Sequence, residues 1–456
     1  MNIVFLTHYY PPEGNAPASR VGALARRWVT AGHQVTVITG VPNVPDGVPY
    51  PGFANGLWPQ ESVVDGVRVI RVWTYLAPNK GVVRRILNYL SFMVCALLRL
   101  MFLPKPDRLI ATSPQFFCGW AGVLGKWWFR CTRPWSRKPR FILEIRDIWP
   151  ESLGAVDAIG NPAIMRLLEW LEIRMYAAAD QVVTVGDGYR RRLLERGVPD
   201  DKISIVMNGV DRDLLEAAVP DPGGVRRAWG LEDKFVCSYI GTIGMASGLS
   251  VFLRAARRLK ELGRDDIRLL AVGDGAVREE LEQQARREGL DHLVFTGRRP
   301  KSEMPAFLAA TDLCFVHLQK SPLFETVIPS KIFEALGMAR AILIGVGGDA
   351  RKLVEDSGGG IAMPPEDDEA LVRALIALEA DRPLLKSMGE RGRVFVQARF
   401  DRDLLATRYL ELLDAEPVTA VPRPELAPQE DSAVRGVLPA VTVPLSQTSS
   451  NYSNVN

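Results

Sequence analysis

Histidine and cysteine are scarce in this chain of 456 residues, which holds only four histidines and five cysteines. The cysteines are scattered without a C-x-x-C pair, which argues against a zinc site and a disulfide framework and favours a reducing compartment. None of the histidines has a neighbour at a spacing typical of metal ligands. The sequence therefore predicts neither a metal nor a cofactor.

Two further features are missing near the N-terminus. No basic stretch precedes the apolar run of "MNIVFLTHYYPPEG", so this run predicts a first β-strand rather than a signal peptide, in a cytosolic protein. No G-x-G-x-x-G follows that strand, and "GDGAVR" at 273–278 has only two of the three glycines. Both observations argue against a dinucleotide-dependent oxidoreductase.

The two halves of the chain differ in charge, although the net charge of the whole chain is only +3. Acidic residues are in the minority in the first half and basic residues in the second. Lys and Arg outnumber Asp and Glu in residues 1–205, and the reverse holds in the remainder. A basic first half indicates an anionic partner, such as a membrane surface or a phosphorylated substrate. No motif of interleaved basic and aromatic residues appears, so nucleic acid is not expected as a partner.

Apolar strand-like runs alternate with helical stretches along most of the chain, and the pattern restarts near "MNGVD". This length and alternation predict an α/β fold with two doubly wound, Rossmann-like domains. Ligands of such sheets bind at the carboxyl ends of the strands, here in a cleft between the domains. The predicted parts are an N-terminal domain (1–205), a C-terminal domain (206–395), a final helix (396–415) and a disordered tail (416–456) rich in Pro, Ser and Asn.

Residues 85–103, "RILNYLSFMVCALLRLMFL", form a helix that is apolar on nearly all sides. Only a thin polar stripe interrupts it: Arg85, Asn88, Ser91, Cys95 and Arg99. One interpretation is a buried core helix, and the other is a helix with one face in a bilayer interface. The Trp- and Arg-rich "KWWFRCTRPWSRKPR" favours the second, so we expect peripheral attachment to an anionic membrane rather than a span.

Several loops of the first domain hold candidate site residues. The loop "PPEGNAPASR" brings Gly14, Asn15 and Arg20 to a helix start, where backbone N–H groups could meet a phosphate, although it could also be a plain connection. Arg146 and Asp147 end a strand, where Asp147 could orient an acceptor or the two could be a structural pair. His8 ends the first strand and could face the cleft.

In the second domain, "IGTIGMASGL" offers Gly241, Gly244 and Gly248 between a strand and a helix. Glycines there let a ligand approach the backbone, so the loop is a candidate phosphate cradle or else a flexible connection. Downstream, "PSKIFEALG" predicts a helix with Ser330 as its N-cap. Lys331 on the first turn suits a diphosphate, and Glu334 one turn later suits a vicinal diol such as a ribose.

These residues resemble the retaining, two-domain (GT-B) glycosyltransferases of family 4, in layout up to about residue 415. Four motifs in the same order are similar to those of the bacterial surface-polysaccharide subgroup that contains fucosaminyl transferases: "HYYPPEGNAPASR", "RDIWPES", "VGDG" and "PSKIFEALGMARAIL". The resemblance implies that the final helix crosses back to the first domain.

The resemblance also implies roles. Glu334 would hold the ribose and Lys331 the diphosphate, with Ser330 nearby. The other donor contacts would come from Gly241, Thr242, Gly244, Gly248, Gly273, Arg298, Gly14, Asn15 and Arg20. The acceptor side would include His8, Arg146 and Asp147.

Two departures from the family pattern stand out. Thr326 occupies the usual first acidic position, with Glu325 beside it as the catalytic candidate. The glycine loop contains no Arg or Lys, which leaves Lys331 as the main phosphate cation and, with Asp147, a catalytic candidate.

The expected activity is metal-independent hexosyl transfer with retention, from a nucleotide-diphosphate donor to a lipid-linked or oligosaccharide acceptor. UDP is favoured over GDP, and an amino-deoxy hexose is favoured as the sugar. The expected place is the inner face of the cell membrane, in O-antigen or other polysaccharide synthesis. Two alternatives stay open: an enzyme like the sugar-nucleotide 2-epimerases, and a catalytically silent binding protein on the membrane.

Overall fold

The apolar runs of the sequence form the strands of two separate sheets in the computed structural model. It describes residues 1–44, 46–77, 82–113, 116–132, 135, 138–148, 162–216 and 220–415. The predicted tail (416–456) and the "WPES" half of "RDIWPES" lie outside these described residues.

The first sheet has eight strands in the order β3-β4-β2-β1-β5-β6-β7-β8. Their bounds are Asn2–Leu6, Gln34–Thr39, Gln60–Val64, Val67–Arg71, Arg108–Thr112, Arg140–Ile145, Gln181–Thr184 and Ile203–Ile205 for β1 to β8. Neighbours pair in parallel except β3 with β4. The sequence pattern did not predict β3, because this edge strand is almost fully exposed and has no apolar run.

Helices cover both faces of this sheet. They are α1 (Ala16–Thr30), α2 (Val82–Met101), α3 (Phe116–Thr132), α4 (Pro162–Ala178) and α5 (Asp187–Glu195). Helix α1 begins after Asn15, whose side-chain oxygen accepts a hydrogen bond from Ala18 N at 2.9 Å. This is the ordinary N-cap arrangement, so Asn15 has a structural role at the start of the helix.

The second sheet has six parallel strands in the order β11-β10-β9-β12-β13-β14. Their bounds are Phe235–Ile240, Ile267–Val272, Leu293–Gly297, Leu313–His317, Ala341–Gly345 and Gly360–Ala362 for β9 to β14. The helices of this half are α6 (Arg212–Glu216), α7 (Gly223–Ala228), α8 (Ser250–Glu261), α9 (Arg278–Arg287), α10 (Met304–Ala310), α11 (Lys331–Gly337), α12 (Gly348–Asp356), α13 (Asp368–Ala380) and α14 (Arg382–Arg399).

The last described helix, α15 (Arg402–Asp414), packs on the first sheet's side of the molecule. Trp28 of α1 donates from its indole Nε1 to Ala406 O at 3.2 Å, and its ring lies edge-on to Tyr409 at 5.3 Å. The predicted boundary at 205 coincides with the end of β8, whereas 395 lies inside α14. The domain boundaries as such stay a prediction.

Helix α2 turns its polar stripe inward. Asn88 Nδ2 donates to Tyr75 O at 2.7 Å, and Ser91 Oγ accepts from Tyr75 N at 2.8 Å. The opposite side of α2 is exposed and apolar, formed by Val83, Leu87, Leu90, Val94 and Leu98. Within the described part of the chain, no helix combines the length and the apolar character that a membrane crossing requires.

Candidate functional site

Two glycine-containing loops meet at the carboxyl ends of β9 and β10. Gly241 and Gly273 have φ of 143° and 139°, and a Cβ on Gly273 would lie 2.0 Å from Gly241 O. Ile243 N donates to Asp274 O at 3.0 Å, so the two backbones run in direct contact. Glycine is therefore required in both loops for backbone packing, in addition to any role in ligand approach.

Lys331, the first residue of α11, lies over this pair of loops. Its Nζ is 3.5 Å from the centroid of the Tyr239 ring, and a Cβ on Gly241 would lie 3.0 Å from the same nitrogen. Tyr239 is in turn fixed by the hydrogen bond from its hydroxyl to Thr242 O at 2.8 Å. The aromatic face stabilises the ammonium without neutralising it.

No carboxylate forms an ion pair with Lys331 among the described residues, and the same is true of Glu334 for cations. Both side chains are half-buried and lie one helical turn apart. A half-buried cation above exposed backbone is suited to bind an anionic group. Lys331 and Glu334 are therefore free to contact different parts of one ligand.

Ser330 directly precedes α11, as predicted for an N-cap, but the prediction that it caps the helix is wrong. Ser330 has helical angles, φ −61° and ψ −24°, and its side chain makes no capping hydrogen bond. The turn has already begun at Pro329, whose carbonyl accepts from Ile332 N at 3.1 Å. An N-cap needs an extended backbone, so the serine hydroxyl is not used in this way.

His317 contacts the glycine loop (241–248) from its buried side, a role that the sequence pattern did not predict. This buried imidazole contacts Ser247 O through Nδ1 at 2.8 Å, and its Nε2 accepts from Glu366 N at 2.9 Å. The ring is thus neutral with its proton on Nδ1, and burial lowers its pKa. Gly248, with φ 58°, approaches so closely that a Cβ would lie 2.8 Å from the ring.

Glu325 and Thr326 lie in a single turn of 3-10 helix, Phe324–Thr326. Glu325 is exposed and packs beside Gly347, whereas Thr326 is buried and donates from its hydroxyl to Leu323 O at 2.7 Å. A Cβ on Gly188 of α5 would lie 2.7 Å from Thr326. A side chain larger than threonine would therefore meet the first half of the chain here.

Arg146 belongs to a buried cluster of charged residues near the carboxyl ends of β5 and β6. Glu144 is fully buried and accepts from Arg20 Nε at 3.2 Å and from Thr112 Oγ1 at 3.1 Å, with Arg146 Nε 3.8 Å away. Burial lowers the pKa of Arg146 to about 10, an effect that Glu144 partly offsets. These contacts favour the structural interpretation of Arg146. The sequence analysis missed Glu144, although a carboxylate inside the apolar strand "RFILEI" could have indicated a buried partner for a cation.

Arg20 is hydrogen-bonded to the segment that follows β8 and joins the two halves. Its Nη1 donates to Met207 O at 2.7 Å and its Nη2 to Val206 O at 2.8 Å, and only 4% of the residue is exposed. These bonds, with the one to Glu144, occupy the guanidinium on all sides. These contacts favour a structural role for Arg20 over the predicted contact with a donor.

Asp147 is half-buried at the carboxyl end of β6, and its backbone N donates to Ser113 Oγ at 3.1 Å. Burial raises the pKa of Tyr189, and the negative charge of Asp147 raises it further. Gly14 is exposed, and a Cβ added to it would have no atom within 4 Å. Asp147 and Gly14 both lie in loops that follow strands of the first sheet, and their roles on the acceptor side and in the cleft stay predictions.

Arg298 contacts the other half of the chain. Its Nη1 lies 3.2 Å from Asp46 Oδ2, and Lys301 Nζ donates to Ser19 Oγ at 2.9 Å. A third bridge joins Asp349 of α12 to the start of α5: Asp349 Oδ2 accepts from Gly188 N at 2.5 Å. The two halves are therefore tied at several points around the loops described above.

His8 lines a small recess at the carboxyl ends of β1 and β2, together with Asn43, Arg85, Asn88 and Tyr89. The imidazole is 5% exposed, and its Nδ1 has no hydrogen-bond partner. Burial lowers the pKa of His8 to about 3, and a hydrogen bond with the Asn88 side chain partly offsets this effect. His8 is consequently a neutral group at ordinary pH, able to donate or accept a hydrogen bond but not to act as a cation.

Two family models match the chain in succession. The model described as "Glycosyl transferase 4-like domain" matches residues 15–209, and the model described as "Glycosyl transferases group 1" matches residues 225–395. Together they span most of the chain, including both sheets.

Curated relatives are distant. A probable glycosyltransferase, WbjE of Pseudomonas aeruginosa, is 24% identical over 292 residues, which are 63% of this chain and 69% of the relative. Alpha-D-kanosaminyltransferase of Streptomyces kanamyceticus is 27% identical over 200 residues, 41% of this chain and 48% of the relative. The O-antigen chain mannosyltransferase C of Escherichia coli is 23% identical over 257 residues, 56% of this chain and 66% of the relative.

Solved structures share the fold over nearly the whole chain. HepE of Anabaena, in complex with UDP and glucose, superposes with a TM-score of 0.67 at 17% identity, covering 91% of this chain and 100% of HepE. WaaG, a glycosyltransferase of lipopolysaccharide biosynthesis, gives a TM-score of 0.66 at 16% identity, with coverage of 91% and 100%. These likenesses and the two mainly parallel sheets confirm the predicted GT-B fold.

Proposed function

Because this chain belongs to the GT-B glycosyltransferases of family 4, we propose that it transfers an amino-deoxy hexose from a UDP-linked donor, with retention. The predicted enzyme class, a glycosyltransferase, is confirmed by the family models and the curated relatives. The proposed acceptor is a lipid-linked sugar or oligosaccharide of a bacterial surface polysaccharide. Relatives named for O-antigen and lipopolysaccharide synthesis support this acceptor class.

The observation that carries the donor site is the position of Lys331. Its ammonium is held above the Gly241 backbone by the Tyr239 ring, half-buried and without a carboxylate partner among the described residues. A diphosphate placed over the loop 241–248 would meet this cation and the loop's backbone N–H groups. HepE, which shares the fold, was crystallised with UDP.

Glu334 supplies the second donor contact in this proposal. Lying one turn after Lys331, its carboxylate can accept both hydrogen bonds of the ribose diol while the lysine holds the phosphates. Ser330, Thr242, Gly244 and Gly248 would complete the pocket, and Gly273 and Arg298 would flank the base. His317 would act indirectly, because it fixes Ser247 and Gly248 in place.

Catalysis in this scheme is mainly electrostatic. As the glycosidic bond to the diphosphate breaks, negative charge grows on the leaving oxygen, and Lys331 stabilises it more than it stabilises the intact donor. The bridges between the halves, such as the one through Asp349, would keep water away from the reacting carbon. Asp147 would orient the acceptor hydroxyl, and Glu325 would contact the donor sugar in place of the acidic residue that Thr326 replaces.

The exposed side of α2 would attach the enzyme to the inner face of the cell membrane. Val83, Leu87, Val94 and Leu98 recur at helical spacing on this face, and Trp127 of α3 is another exposed apolar residue of the same half. The excess of basic residues in the first half adds attraction to anionic lipid. An apolar face flanked by Trp and Arg suits a headgroup region better than water.

The donor site is tested by thermal unfolding of the purified chain with UDP, GDP, NAD and no ligand. A nucleotide at about 100 times its dissociation constant should add about 2.7 kcal/mol to the free energy of unfolding. We expect a clear shift with UDP, lost in Lys331→Ala and in Glu334→Ala. Glu303→Ala, in a short turn of the same half, is the control that should keep the shift.

Products separate the remaining alternatives. Transfer or slow hydrolysis of a UDP-sugar by the wild-type chain supports the transferase, whereas interconversion of sugar epimers supports an enzyme of the 2-epimerase type. Nucleotide binding without any product would indicate a silent binding protein. Absence of a shift with both UDP and GDP would remove the proposed donor site altogether.

A further inference from the structure

Glu13, in the stretch "PPEGN" of the loop after β1, is a buried carboxyl group that the proposed donor site does not use. Only 4% of the residue is exposed, although it directly precedes the exposed Gly14. Its backbone N donates to Tyr10 O at 3.3 Å, so the loop turns back on itself at this residue. Burying a carboxyl group is costly unless its oxygens accept hydrogen bonds, which directs attention to what Glu13 holds.

The side chain of Glu13 holds the loop that follows β2. We call this segment the β2 loop, defined by residues 41–44 and 46–50. Glu13 Oε1 accepts from Asn43 N at 3.0 Å and from Val44 N at 3.2 Å. Backbone N–H groups that are shielded from water need acceptors, and one carboxyl oxygen serves two of them here.

The rest of the β2 loop is built on these two residues. Gly47 N donates to Asn43 O at 2.8 Å, and the Tyr50 hydroxyl donates to Val44 O at 2.7 Å. The residues whose N–H groups bind the carboxyl oxygen therefore also accept hydrogen bonds from the far side of the loop. Asp46 lies between these contacts along the chain, so its position depends on the anchor.

Asp46 connects the β2 loop to the second half. Its Oδ2 lies 3.2 Å from Arg298 Nη1, and Arg298 Nη2 lies 3.7 Å from Asp274 Oδ2. Asp274 O in turn accepts from Ile243 N of the glycine loop at 3.0 Å. Each ion pair is partly exposed and weak by itself, so the position of Asp46 decides whether the halves meet here. The contacts thus lead from Glu13 to the loop that carries the proposed phosphate site.

We propose that Glu13 is a positioning residue of the transfer reaction: its carboxyl oxygen holds the β2 loop so that Asp46 meets Arg298 when the halves close over the donor. The inference rests on the proposed function and deepens it, since it assigns part of the closure to a side chain of the first half. Glu13 acts through the loop rather than on the donor itself. Glutamine, whose amide oxygen can accept the same two hydrogen bonds, should therefore replace it, whereas methionine fills a similar space without an acceptor.

The variants for the test are Glu13→Gln and Glu13→Met, with Asp107→Leu as the matched control. Asp107 Oδ2 accepts from Asn2 N at 2.7 Å, so it also holds a backbone N–H, but at the amino ends of the strands. Hydrogen–deuterium exchange is followed in the peptides 41–50 and 241–248, with and without UDP. Without UDP, peptide 41–50 should exchange about tenfold faster in Glu13→Met, as expected for a lost hydrogen bond, and at the wild-type rate in Glu13→Gln and the control.

The response to UDP separates positioning from simple packing. In the wild-type chain and in Glu13→Gln, UDP should protect both peptides, because closure brings the β2 loop against the second half. In Glu13→Met it should protect 241–248 alone, since the second half still holds the nucleotide. Protection of 41–50 by UDP in Glu13→Met would overturn the proposal, and so would a Glu13→Gln chain that behaves like Glu13→Met. The same holds if UDP protects only 241–248 in the wild-type chain.

Failure of the donor site gives a different result. If UDP protects neither peptide in the wild-type chain, the proposed donor site fails, and the rates without UDP still decide whether Glu13 anchors the loop: equal rates in Glu13→Met and wild type would show that it does not. If Glu13→Met does not fold, Asp46→Ala takes its place, because it keeps the anchor and removes the contact with Arg298. UDP should then protect 241–248 alone, and protection of 41–50 would count against the proposal.

Discussion

Arg191 Nη2 lies 2.6 Å from Asp349 Oδ1, and the other oxygen of the same carboxylate accepts from Gly188 N. One side chain of the second half thus binds both a cation and a backbone N–H at the start of α5 in the first half. Beside it, Thr326 packs against Gly188. This bridge lies next to the turn that carries Glu325, so under the proposed function it would couple the approach of the halves to the donor site.

Breaking this bridge should reduce turnover more than it reduces stability. For Asp349→Asn we expect kcat/KM to fall about three- to tenfold, because the closed arrangement loses a charge-assisted contact that is partly exposed to solvent. Steady-state kinetics with saturating donor measure the effect. Glu355→Gln, which breaks the exposed Arg351–Glu355 pair on the same helix, is the control. Equal losses in the two variants would contradict a role in closure.

Gly273→Ala should destabilise the second half. Its Cβ would be 2.0 Å from Gly241 O at a φ of 139°, so the two loops would have to separate, at a cost of about 1–3 kcal/mol or more. Gly224→Ala, where nothing lies within 4 Å, should leave stability almost unchanged. Urea denaturation of both variants makes the comparison, and UDP binding should be lost only in the first. Tolerance of alanine at 273 would show that the loops are not in the contact described.

Arg20 and Glu144 should behave as one unit. Removing only the cation in Arg20→Met leaves a fully buried carboxylate near Arg146 alone, which should cost about 3–5 kcal/mol. The double variant Arg20→Met, Glu144→Gln should recover part of that loss, because no charge stays unpaired. A double-mutant cycle from denaturation curves measures the coupling. Additive losses would mean that Arg20 contributes only through its bonds to the linker.

Two buried groups near the first strand should give opposite pH dependences. Burial lowers the pKa of His8 from 6.5 to about 3, so its contribution to stability is full above pH 6.5 and is lost as the pH falls. Burial raises the pKa of Glu13 from 4.5 to about 7, so its contribution is full below pH 4.5 and is lost as the pH rises. The two slopes offset each other between pH 4.5 and 6.5.

Glu13→Gln should therefore expose the histidine slope. Relative to the wild-type chain, the free energy of unfolding of this variant should fall more steeply with falling pH, by about 1.4 kcal/mol per pH unit. Denaturation curves at several pH values between 4.5 and 6.5 measure it, and groups common to both proteins cancel in the difference. An identical slope in variant and wild type would mean that Glu13 titrates as an ordinary surface carboxylate.

The order of strands and helices was predictable because buried parallel strands are continuous apolar runs, as in "NIVFL" and "AILIG". The edge strand β3 was not, since "QESVV" is exposed and takes its conformation from pairing with β4. Lys331 and Glu334 could be predicted as donor contacts because their spacing on a helix has a chemical meaning, and their role stays a prediction. By contrast, Arg20, Glu144 and His317 acquire their roles from side-chain hydrogen-bond partners at least 32 residues away in the sequence, which no local pattern contains.

The packing of α15 against Trp28 has a consequence for how the protein is made. The indole of Trp28 and the side chains of Phe5 and Val37 share a cluster with Tyr409 and Leu413, so the core of the first sheet is completed by nearly the last described residues. During synthesis the first half leaves the ribosome with this surface uncovered. The surface stays uncovered until the whole second half has been translated. Ribosome-bound chains that stop before α15 should therefore be sensitive to protease and bound by chaperones, and become resistant once that helix has emerged.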